Sequence, residues 1–188
     1  MGEPFKSCNV MLDHVFVDGI IYWRNVGWDE EGLWSHNIIS FDLKREKFDE
    51  VSLPERLTHS QGFLVLAKVN ESLRLLEYYN EGEIWVCGVW TKKDGVNKHF
   101  TKIYTVKVEG KSMFNSVLGW KSVLGFRNNG EVLLVMEDDN DKGYAVEVYK
   151  PSSGHINAVG INGKYDGFSV RSYTETLLLL HESNSIIN

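Results

Sequence analysis

The run Glu137 to Gly143 (EDDNDKG) places four carboxylates within five positions, a hard-oxygen set of the kind that holds calcium. A helix–loop–helix calcium site, however, wants an oxygen ligand where Lys142 stands and a closing Glu where Tyr149 stands. The run therefore reads as a solvated hairpin loop. The six histidines, His14, His36, His59, His99, His155 and His181, are scattered among turns and strand ends and read as partly exposed loop residues. Two cysteines, Cys8 and Cys87, are too few for a disulfide scaffold or a four-ligand zinc site and read as reduced, packed thiols. Gly160 to Gly167 holds three glycines but no helix start to receive a phosphate, so it reads as a turn. No nucleophile elbow, zinc-protease helix, phosphate-binding loop or Cys-x-x-Cys pair occurs. We expect no catalytic residue, no metal and no cofactor.

What chemistry remains is recognition. The loop NVGWDEEGLWSH carries Trp28 and Trp34 around Asp29, Glu30 and Glu31. Large aromatic residues in a polar loop are either tucked beneath it or offered to a partner. Further carboxylates stand in two other turn regions: Glu81 and Glu83, then Glu137, Asp138, Asp139 and Asp141. These eleven residues are the candidate partner-binding set.

The chain around them has 188 residues, a net charge of −6, 43% hydrophobic residues and 24% charged ones. Such a balance is that of an ordinary globular domain and excludes a disordered or low-complexity chain. An acidic chain with no run of five basic residues is not a general nucleic-acid or anionic-membrane binder. The start MGEPFKSCN has no apolar signal region, and Lys6 stands where a myristoylation motif needs Ser or Thr. The longest apolar stretches fall far short of the ~20 residues a membrane helix needs. A cytoplasmic or nuclear location is expected.

Short runs rich in Val, Ile, Phe, Tyr and Trp, separated by turn residues, dominate the chain and predict β-strands with very little helix. Asp18-Gly19, Asn70-Glu71-Ser72 and Asn129-Gly130 each stand between a pair of such runs, as tight hairpins do. After each come a third strand, a turn and a fourth. IISFDL precedes FDEVSL, IWVCGVW precedes FTKIYTV, and YAVEVY precedes INAVGI. The hairpins recur every 50 to 60 residues or so, the period of four-stranded β-propeller blades. A β-sandwich would use a similar number of strands without this phase. The expected fold is all-β, an incomplete β-propeller of about three four-stranded blades plus a half blade, FSVRSYTETLLLLHE. Residues 1–14 read as an N-terminal extension, 15–182 as the domain and 183–188 as a tail. A ring of three and a half blades leaves an apolar face open, which points to further sequence upstream.

In that frame Gly19, Tyr22 and Trp23, then Phe41, Asp42, Glu46, Phe48, Leu53 and Pro54, form a recognisable series. With IWVCGVW, FTKIYTV, NNGEVLLV, VEVYKPSSGHI and SYTETLLLL, they resemble the plant F-box-associated domain of the kelch-like propeller class. His99-Phe100 departs from the Ser-Trp often found there in the family. The resemblance implies the target-holding region of an F-box subunit in a cullin-type ubiquitin ligase, with a protein target as partner. It implies a Skp-type adaptor and cullin only with an F-box upstream, and no segment here is able to serve as one. A truncated decoy that binds targets without delivering them is the first alternative. A propeller-type carbohydrate-active enzyme is the second, and it would need paired carboxylates converging on a central channel.

Repeat phase also sorts the loops. The 2–3 loops and the blade-to-blade connections should share one end of the molecule, the 1–2 and 3–4 turns the other. The first set carries −7 and the second +2, which predicts an acidic recognition face suited to a partner with a basic segment.

Overall fold

The computed structural model describes residues 9–82, 84–92, 99–108, 123–138, 143–164, 168 and 170. Among the described residues, twelve strands form three four-stranded antiparallel sheets, each an up-and-down meander in chain order. Blade 1 holds β1 (Asn9–Val17), β2 (Ile20–Trp28), β3 (Trp34–Asp42) and β4 (Lys47–Val51). Blade 2 holds β5 (Phe63–Val69), β6 (Ser72–Glu81), β7 (Ile84–Lys92) and β8 (Phe100–Val108). Blade 3 holds β9 (Val123–Phe126), β10 (Val132–Asp138), β11 (Gly143–Lys150) and β12 (His155–Gly163). This is the expected incomplete propeller. The first strand begins at Asn9, inside the stretch read as an extension. Its pairing with β2 slips between Val10 and His14, and that irregularity hides the strand from a simple alternation test. Most of the expected half blade lies outside the described residues, although Val170 packs over Gly125 of β9 and Phe168 over Gly163.

Local chemistry explains the meanders. Asp18 and Gly19 both have positive φ, as do Asn70 and Glu71, which is the two-residue turn whose twist matches that of paired strands. The turns keep the register strict, from Val17↔Ile20 in blade 1 and Val69↔Ser72 in blade 2. Side chains then alternate between the two faces of each sheet. On β6 the even positions Leu76 and Tyr78 meet Val132, Leu134 and Met136 of blade 3. The odd positions Leu73 and Leu75 meet Tyr22 and Ile38 of blade 1. Blade 2 is thus buried on both faces, and the inner strands β1, β5 and β9 lie side by side.

One irregularity redirects side chains. On β8, Ile103 is an extra residue between the pairs Trp90↔Lys102 and Val89↔Tyr104. The bulge turns Lys102 toward blade 1 with Trp90, while Tyr104 packs into the core shared with blade 3. Burial there pushes the Tyr104 phenol up to about 12.

Blades 1 and 2 are joined by a connection that contains α1 (Glu55–Thr58). Pro54 opens it with a fixed φ, and its carbonyl accepts the N–H groups of Leu57 and Thr58. Leu57 is fully buried between the two blades and pins the turn in place.

Candidate partner-binding site

Two contacts fix which loops share an end. Asn70 Nδ2 donates to the Asn128 carbonyl, so the 1–2 turns of blades 2 and 3 are neighbours. At the opposite end of the strands, His59 of the connection donates from Nδ1 to the Trp34 carbonyl at 3.4 Å, and the same nitrogen lies 3.8 Å from Asp29 Oδ2. The connection and the 2–3 hairpin of blade 1 therefore stand together, as the repeat phase requires.

Asp29 builds the hairpin tip. Its Oδ1 accepts the N–H groups of Glu31 at 3.0 Å and Leu33 at 2.8 Å, and its own N–H donates to the Leu33 carbonyl. Short polar side chains favour such turns because they supply the backbone's missing partners. The tip is short. Trp28 and Trp34 are not loop residues but the last cross-strand pair of β2 and β3. Their rings meet edge to face with centroids 5.3 Å apart, and Trp34 also stands edge-on to the His36 ring. Aromatic pairs across antiparallel strands stabilise the ladder, which explains why β2 runs four residues and β3 three residues into the stretch that composition reads as loop.

This pair is not core. Trp28 is 71% exposed, Leu33 50% and Trp34 39%, with Glu30 and Glu31 also in solvent beside them. An exposed aromatic and leucine group flanked by two carboxylates offers apolar area and faces that attract cations. Such a surface suits a polypeptide carrying Lys or Arg among apolar residues.

The other expected site residues are less available. Glu81, at the end of β6, is hydrogen-bonded to Lys107 Nζ, which holds its carboxyl below the usual range. Its charge is therefore largely compensated. Glu137 is half-buried on β10 and has partners of its own. The backbone of Asp138 closes β10 opposite Gly143, while Glu83, Asp139 and Asp141 lie outside the described residues. Among the described residues, Trp28, Asp29, Glu30, Glu31 and Trp34 are the members of the expected set brought together in one contiguous patch.

His36 corrects the reading of the histidines as exposed loop residues. It lies on β3, almost wholly buried, and its Nε2–H donates to the Ser60 carbonyl at 3.2 Å. Burial lowers its pKa; the Ser60 bond opposes this, and the nearby Arg24 cation adds to it. Sequence reasoning also missed a polar group under α1. Glu77 is 3% exposed on β6, within the run LLEYY whose other members are aliphatic or aromatic. Its Oε1 accepts Ser60 Oγ at 3.2 Å and lies 3.5 Å from Arg56 Nη2, while Oε2 accepts Trp90 Nε1 at 3.2 Å. The signal was present: alternation puts residue 77 on the face of Leu73 and Leu75, where a carboxylate must be satisfied. Among the described residues, no group of three or more His, Cys, Asp or Glu could hold a metal ion, and no helix is long and apolar enough to cross a membrane.

Repeated four-stranded meanders, joined along their inner strands, define a propeller-type scaffold. The chain belongs to the F-box associated beta propeller domain family, whose family model matches residues 4–180. No curated protein and no solved structure matches it.

Proposed function

We propose that this chain is a protein-interaction module that holds a target polypeptide for an F-box type ubiquitin ligase subunit and does no covalent chemistry of its own. Family membership supports the F-box context. The observation that carries the binding role is the Trp28–Trp34 pair, held by Asp29 at a hairpin tip and left in solvent. A fold maintains two adjacent exposed indoles at a cost in solubility, and their use as an anchor offsets that cost. Glu30 and Glu31 select a partner with basic residues, and the partner is bound by apolar contact and cation–π attraction. Delivery to a cullin-type ligase requires an F-box and its Skp-type adaptor; without them the same surface makes the protein a decoy that occupies targets.

The test is a selection from a random peptide library displayed on phage, with the domain immobilised. Enriched peptides should combine Lys or Arg with Leu, Phe or Trp, and should lose binding to a Trp28→Ala/Trp34→Ala variant. Enrichment of peptides that bind this variant equally well would defeat the proposal.

A further inference from the structure

Beside α1, where blades 1 and 2 face each other, a row of cations over aromatic rings forms a cleft of the opposite charge. Arg56, within α1, reaches blade 2, and His59, which follows α1, reaches the tip, so this one short connection touches both surfaces. Arg56 is 57% exposed, and its guanidinium lies 5.6 Å from the centre of the Tyr79 ring. Lys102, aimed here by the β8 bulge, lies 5.6 Å from the same ring and 5.7 Å from that of Trp90. Lys92 lies over Tyr22. Gly88 makes the room: a Cβ there would stand 3.1 Å from Lys102 Cε and 3.2 Å from Glu77 Oε2.

The partners of these cations are the decisive feature. Glu77 is buried beneath them, accepts Ser60 and Trp90, and is the carboxylate partner of Arg56. Glu81, whose carboxyl also feels Lys102, is bonded to Lys107. Lys92 and Lys102 instead direct their ammonium groups at phenol oxygens, those of Tyr22 at 3.2 Å and Tyr79 at 3.4 Å. An ammonium has three donors, so each keeps donors for an anion. In a chain of net charge −6, a cationic cleft floored by aromatic rings is a local reversal of sign.

We propose that this cleft is a second docking surface, taking an acidic stretch of the protein partner. The assignment deepens the reading of the tip as the site for a basic segment and rests on it for the partner's being a protein. One polypeptide crossing α1 would meet acidic carboxylates on one side and ammonium groups on the other, which fixes its direction as well as its affinity.

The experiment is an NMR titration of the isotopically labelled protein with hexaglutamate and, separately, hexalysine peptide at low salt. Hexaglutamate should shift the Trp90 indole N–H and the Arg56, Lys92 and Lys102 amides saturably, leaving the Trp28 indole unmoved. Lys92→Gln/Lys102→Gln, which touches no carboxylate hydrogen bond, should weaken hexaglutamate by about fivefold. Arg56→Gln is the companion variant, with its near-UV circular dichroism checked because Arg56 also meets Glu77. Absence of saturable shifts at the cleft, or unchanged affinity in the double variant, would overturn the proposal. Hexalysine reports on the tip alone: if it fails to move the Trp28 and Trp34 indoles, the tip reading fails while the cleft result stands.

Discussion

Trp90→Phe is the perturbation that reads the polar group under α1 most cleanly. It keeps a flat aromatic side chain at a position that is 8% exposed, and removes the donor that serves Glu77 Oε2 at 3.2 Å. Leaving one oxygen of a buried carboxylate without its donor costs about 1–3 kcal/mol. Loss of some indole area adds about 1 kcal/mol. For a chain of this length each kcal/mol lowers the melting temperature by roughly 2–4 °C. The same substitution in a Glu77→Leu background removes no partner of a carboxylate, so only the area loss remains. A double-mutant cycle by urea unfolding should therefore show a coupling of about 1–3 kcal/mol between residues 77 and 90. If Trp90→Phe costs the same in both backgrounds, the hydrogen bond contributes nothing and the description of this network is wrong.

Glu71 holds a positive φ of 55° in a two-residue turn, where a side chain is strained and glycine is not. Glu71→Gly should stabilise the protein by about 1 kcal/mol, even though it removes the exposed Lys68–Glu71 pair, and urea midpoints check it. His36 resists protonation when folded but titrates normally when unfolded. As pH falls below its ordinary value of about 6.5, the unfolded chain takes up the proton first and stability declines toward the lowered folded pKa. A His36→Gln variant should lose this component, so the gap between its urea midpoint and that of the parent should narrow from pH 7.5 to pH 5.5; a constant gap contradicts the reading. Burial, with the Glu77 charge behind it, pushes the Cys87 thiol well above its usual range. Iodoacetamide at pH 8 should leave Cys87 unmodified in the native protein and alkylate it in urea, as peptide mass spectrometry will show.

The blades were legible because their determinants are local. Asp18-Gly19 and Asn70-Glu71 announce their turns, and strands with alternating burial flank them at a steady period. The candidate tip was half legible. Its residues were found, but polar composition from Asn25 to His36 masked a ladder that continues through Gly27↔Ser35 to Trp28↔Trp34. The ladder persists because two indoles meet across it, and that contact between residues six apart is not a pattern of either strand. Long-range pairing hid the rest. Glu81 is compensated by Lys107, 26 residues on, and His36 is buried by Ser60, 24 residues away. Glu77 collects its donors from positions 60 and 90, so only tertiary structure distinguishes it from an exposed acid.

The most direct measurement is the affinity of a library-selected peptide for the parent domain and for Trp28→Ala/Trp34→Ala, by isothermal titration calorimetry. Both indoles project into solvent at a tip that Asp29 also holds, and a cross-strand pair contributes about 1 kcal/mol or less, so the variant should melt within a few degrees of the parent. Anchoring aromatic residues contribute about 2 kcal/mol or more, so binding should weaken by roughly thirtyfold or beyond. Equal affinity for the two proteins would contradict the assignment of this tip as the partner-binding site.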